Sequence, residues 1–169
     1  MVWVNNPKLR PEETMMVGKA IWKIVTAGTL ALSIGAGAAY ALTPAEAIKA
    51  RQDCMKANGA MMKVMVPIIK GEAAYDKAAI DAALAAEGAA CAGWADWWGE
   101  DTKPGGAVET YAKEEIWTDK AGFEAAGMAY GKASEAVKAS TDEASFKAAF
   151  PALGASCQGC HEKFRKPKG

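Results

Sequence analysis

The sequence predicts an all-α protein: an antiparallel four-helix bundle preceded by an N-terminal hydrophobic segment. Apolar residues recur at helical spacing in four successive stretches, two of them with sustained seven-residue repeats. Pro, Gly and Ser-Thr-Asp clusters separate the stretches, and the alternating β-branched pattern of strands is absent.

Residues 24–42 carry no charge, follow Lys19 and Lys23, and end in Ala39-Tyr40-Ala41, an A-x-A cleavage pattern. Residues 1–41 therefore read as a secretory signal or as an uncleaved membrane anchor. A signal of that length is unusual, and initiation at Met15 or Met16 would give an ordinary one. As an anchor, the uncharged run would span roughly 28 Å at about 1.5 Å per residue. Gly28, Ser33, Gly35 and Gly37 make it a poor apolar span. Both readings put residues 42–169 outside the cytoplasm, in the periplasm, either released or tethered.

The first helix is expected at about 44–70, with Pro44 at its start and Ile48, Met55, Met62 and Ile69 seven apart. Gly71 breaks it. The second, about 73–92, carries Ile80, Leu84 and Cys91 at helical spacing. After the Lys103-Pro104-Gly105-Gly106 stretch, a third helix of about 107–139 repeats Ile116, Phe123, Tyr130 and Val137. The fourth, about 142–165, follows the cap signal Ser140-Thr141-Asp142 and shows Phe146, Phe150, Leu153, Cys157, Cys160 and Phe164 on one face. Pro151 within it should kink the helix or remove a backbone bond.

Composition narrows the functional classes. The 169 residues hold 20 Lys+Arg against 20 Asp+Glu, so no charge excess favours nucleic acid, and 51% hydrophobic residues exclude a disordered chain. There are four Cys and one His, His161, so metal chemistry uses that imidazole or none.

Cys157-Gln158-Gly159-Cys160-His161 is the C-x-x-C-H signature of covalent haem attachment. On a helix, spacings i, i+3 and i+4 place two thiols and an imidazole on one face, suiting two thioether links and an iron ligand. A thioredoxin-like pair would begin a βαβ helix, and a zinc site would need a second ligand pair, which Cys54 and Cys91 do not form. The expected cofactor is one haem c, attached through Cys157 and Cys160.

Over about Ala45 to Lys166 the chain resembles the class II cytochromes c, the cytochrome c prime family with its low-spin, Met-ligated relatives. The resemblance rests on Cys157-x-x-Cys160-His161-x-x-Phe164-Arg165 near the C-terminus, on Ile48-x-x-Arg51 and on Ile116-Trp117. It implies a four-helix bundle with haem between the helices, His161 as proximal ligand, a distal face from the first helix, and frequent homodimers through the first two helices. With no second His, a strong sixth ligand is Met or Lys. Met55 matches the family position where electron-transfer members place a Met ligand and gas-binding members an apolar residue.

The resulting expectation is a periplasmic, non-enzymatic carrier of single electrons with a His161/Met55-ligated haem. The alternatives are a five-coordinate cytochrome c prime that binds nitric oxide, and a membrane-tethered subunit of an electron-transfer complex. Met61, Met62, Met65 and Met128 read as core fillers. Arg51 and Arg165 are candidates to pair with the haem propionates, and Trp117 and Phe164 to pack in the haem pocket. Lys163, Arg165, Lys166 and Lys168 could guide a redox partner protein. Cys54 and Cys91 lie level if the first two helices form a hairpin, which predicts a disulfide. Trp94, Trp97 and Trp98 are expected over the bundle end or the haem edge, with an exposed partner contact as the alternative.

Overall fold

The computed structural model describes residues 42–106 and 108–167. Residues 1–41, with the signal or anchor reading, lie outside the described residues. Among the described residues no helix is long and apolar enough to cross a membrane.

Helix α1 (Pro44–Lys70) begins at a capping box in which the Thr43 hydroxyl accepts from the Glu46 amide while the Glu46 carboxylate accepts from the Thr43 amide. It ends at Gly71, whose φ of 75° gives the left-handed turn that a side chain disfavours. Helix α2 (Lys77–Ala90) is capped by Asp76, so it starts later than the apolar pattern alone indicates. Helix α5 (Glu143–Phe164) starts from an Asp142–Ser145 capping box. It runs through Pro151, which is exposed, so the carbonyl that loses its partner can turn to water. No break occurs there.

The third expected helix is corrected in two ways. Residues 108–114 are not helical, and the remainder divides into a single turn, α3 (Glu115–Thr118), and α4 (Lys120–Lys138). Asp119 causes the division: at φ −124° and ψ 63° it leaves the helical region, and its carboxylate caps α4 by accepting from the Gly122 amide at 3.0 Å. A periodic apolar pattern does not reveal such a local cap.

The packing is that of two hairpins, α1 with α2 and α4 with α5, joined by a long segment containing 3-10 turns at Trp94–Asp96 and Glu100–Thr102. Met61, Met65, Ile68, Ile80, Leu84, Ala133, Val137, Phe146 and Leu153 form the main core. On α1 the buried residues are Ala47, Ile48, Arg51, Cys54, Met61, Met65 and Ile68, so Ile48 of the expected row is buried, while beyond it Cys54, Met61 and Ile68 fall one position before the Met55–Met62–Ile69 row. That row lies at the edge of the core, and Met55 is 39% exposed. Met128, expected inside, is 70% exposed on α4. Two smaller clusters, Ala112–Ile116–Trp117–Phe164 and Ala47–Cys54–Trp97, close the other end of the bundle.

Candidate haem site

Between those clusters and the main core lies a cavity of about 980 Å³. It sits at the upper end of the roughly 300–1,000 Å³ typical of ligand and cofactor pockets. Helix α5 contributes Cys157, Cys160, His161 and Phe164, followed by Arg165; α1 contributes Ile48, Arg51, Met55 and Met62; α4 contributes Phe123 and Tyr130. Seven of the eight sequence-expected site residues therefore meet at one cavity. The exception is Trp117. It is buried, but behind the wall, where its indole N–H donates to the Trp98 carbonyl at 3.0 Å and its ring meets that of Trp98 at 6.1 Å. Trp98 is the tryptophan that lines the cavity from this side, together with Trp94.

The helical spacing explains how α5 presents its motif. Cys157, Cys160 and His161 are all half-buried on its cavity side. Burial pushes both thiols above their ordinary pKa, the Cys157 thiol further influenced by Glu87 and the Cys160 thiol by Cys157. The end of α5 is pinned by an antiparallel bridge between Ala112 and Arg165, with the Lys113 amide donating to the Phe164 carbonyl at 2.9 Å and the Lys166 amide to the Tyr111 carbonyl at 2.7 Å. This strap uses backbone groups of a segment the sequence pattern assigned to a helix.

Arg51 is 5% exposed. Its Nη2 donates to the Thr102 carbonyl at 3.2 Å, and its guanidinium lies 4.3 Å from the Trp98 ring centroid. Burial lowers its pKa to about 10. Its Nε and Nη1, the Arg165 Nε and the Trp98 Nε1 are buried donors with no protein acceptor. All three residues line the cavity. Two thiols, one imidazole and a set of unmatched cationic and neutral donors suit a porphyrin that carries carboxylates.

The tryptophans pack inward, as the main expectation for them had it. Trp97 is buried and Trp94 and Trp98 are half-buried, with Trp94 meeting Trp98 at 4.8 Å and Trp98 meeting Phe123 at 4.7 Å in edge-on geometry. The expected cationic run is divided: Lys163 pairs with Asp119, Arg165 turns to the cavity, Lys166 is exposed, and Lys168 lies outside the described residues. Cys54 and Cys91 form the disulfide expected from the hairpin, with Cα atoms 4.9 Å apart, and the bridge itself lines the cavity. Sequence reasoning missed Asn58, Glu87 and Thr102. A signal existed for Glu87, a charge on the Ile80–Leu84–Cys91 face of α2.

Comparison with known proteins is decisive for the family, because the model described as "Cytochrome C'" matches residues 46–165. This chain belongs to the cytochrome c' family. Cytochrome c' from Rhodopseudomonas palustris is 31% identical over 141 residues, covering 83% of this chain and 95% of that protein. Cytochrome c-556 from Agrobacterium fabrum is 32% identical over 148 residues, with 86% and 97% covered. A solved nitric oxide complex of a leucine-to-isoleucine mutant of cytochrome c prime from Alcaligenes xylosoxidans superposes with a TM-score of 0.64 at 32% identity, over 74% of this chain and 98% of that one. Like its family, the cytochrome c'-type bundle described here binds one covalent c-type haem. The expected His161/Met55 electron carrier gains no support from these similarities, which favour the gas-binding alternative.

Proposed function

We propose that this protein binds a small diatomic gas, nitric oxide in the first instance, at the iron of a haem linked through Cys157 and Cys160 and ligated by His161. The observation that carries this reading is the likeness to the nitric oxide complex, whose chain is covered almost end to end. The α1 wall agrees with it, since Ile48, Met55, Gly59 and Met62 offer an apolar surface beside which a neutral diatomic ligand can sit. In this reading Phe164 packs against the haem while Arg51 and Arg165 receive its propionates. The protein makes no covalent bond in a substrate. It is exported to the periplasm, with residues 1–41 as its leader, and α1 and α2 form the contact of a homodimer.

A second reading is favoured by one observation: Met55 of α1 lines the same cavity as His161 of α5. A Met55 sulfur on iron would close the sixth position, raise the reduction potential and make the protein a single-electron carrier for redox partner proteins.

Optical and electron paramagnetic resonance spectra of the ferric protein, followed by nitric oxide titration, test the choice. A high-spin, five-coordinate ferric iron that takes up nitric oxide is the expected result. A low-spin spectrum with the far-red sulfur-to-iron band, converted to high-spin by Met55→Ala, would overturn it in favour of the carrier. N-terminal sequencing, membrane fractionation and sedimentation of the mature protein test the export and dimer parts.

A further inference from the structure

Where α1 meets α2 the cavity wall is polar in a way the haem motif does not require. Glu87 of α2 is 7% exposed. Asn58 of α1 donates to its Oε1 at 3.1 Å and to the Cys54 carbonyl at 3.1 Å, and the same amide lies 3.6 Å from the Cys91 sulfur. From α4, Tyr130 brings a buried hydroxyl, whose pKa is pushed up first by burial and then by the Glu87 charge. Asn58, Glu87, Tyr130, Cys157 and the Cys54–Cys91 bridge all line the haem cavity.

Burying a carboxylate against a neutral amide is costly, and a hydrophobic side chain would pack the Ile80–Leu84–Cys91 face without that cost. The consequence of the charge is electrostatic. An anion in a low-dielectric wall beside the porphyrin stabilises the ferric iron, which carries one more positive charge than the ferrous form.

We propose that Glu87 sets the reduction potential of the haem: its carboxylate, oriented by Asn58 on the cavity wall, biases the iron toward the ferric state. Reduction adds one electron from an external donor to ferric iron and forms ferrous iron, with no bond made or broken in the protein. Glu87 is thus a positioning charge rather than a ligand. The inference rests on haem occupying this cavity and is independent of whether the sixth coordination position is open or held by Met55.

The test is a mediator-based spectroelectrochemical titration of the haem-loaded protein at low ionic strength, comparing wild type with Glu87→Gln and Glu87→Leu. Glu72→Gln, at an exposed acid in the α1–α2 turn, serves as control. Removing the charge should lower the ferric-to-ferrous ratio at a fixed potential about tenfold, an upward shift of about 59 mV for one electron, while the control stays at the wild-type value. Glu87→Leu keeps the test open if Glu87→Gln fails to assemble. Unchanged potentials with intact haem spectra would overturn the proposal. So would a shift accompanied by a change of spin state, because altered ligation would then account for it. Loss of covalent haem from the wild type would instead refute the cavity assignment.

Discussion

The guanidinium of Arg51 lies 4.3 Å from the centre of the Trp98 ring and donates to the Thr102 carbonyl, which ties α1 to the segment between α2 and α3 beside the haem cavity. A desolvated cation–π contact contributes about 2 kcal/mol and the hydrogen bond about 1 kcal/mol. Arg51→Leu should therefore lower the stability of the haem-loaded protein by about 2–3 kcal/mol. Arg51→Lys should recover less than half, since an ammonium lacks the planar fork. Guanidinium denaturation followed by circular dichroism checks both.

The attachment chemistry is tested by removing one sulfur at a time. Cys157→Ala and Cys160→Ala should each keep haem through the remaining thioether, so acid–organic extraction leaves colour on the protein, with a shifted pyridine haemochrome band. The double variant should release its haem. His161→Ala should retain the covalent link and lose the normal ferric spectrum.

The Cys54–Cys91 bridge closes a loop of sequence separation 37. For a loop of that size the chain-entropy estimate is about 3–4 kcal/mol. The Cys54→Ala/Cys91→Ala double variant should be destabilised by about that much in equilibrium denaturation. Mass spectrometry of the unreduced wild type should find one peptide pair joined at these residues.

Asp119 is held below its ordinary pKa of 3.8 by the hydrogen bond from Lys163 first and by the Gly122 amide second. A carboxylate with a depressed folded pKa contributes its full stabilisation above the unfolded value and loses it as pH falls through the folded value. Acidification below about pH 3.8 should therefore loosen the junction of α3, α4 and the end of α5. Asp119→Asn should narrow the difference between denaturation midpoints measured well above and well below that pH.

Much of the architecture is local in origin and could be read directly. Thr43-Pro44 and Asp142 mark the starts of α1 and α5, and Gly71 ends α1, because caps and left-handed turns depend on the residues themselves. The C-x-x-C-H spacing placed three site residues on one helical face for the same reason. The disulfide followed from hairpin geometry, since two antiparallel helices joined by a short turn bring residues equidistant from it to the same level.

Sequence alone determined the helical class and the haem-bearing motif, both properties of short-range spacing. Tertiary structure decided the rest. Asp119 splits the third helix because its carboxylate is shared between the Gly122 amide and Lys163 of α5, a partner 44 residues away. Trp98 rather than Trp117 faces the cavity because Trp117 spends its N–H on the Trp98 and Gly99 carbonyls. Glu87 enters the cavity wall because Asn58 and Tyr130 converge on it from two other helices. Periodicity states which face of a helix is apolar, but only the packed bundle determines which part of that face meets the core and which part meets the haem.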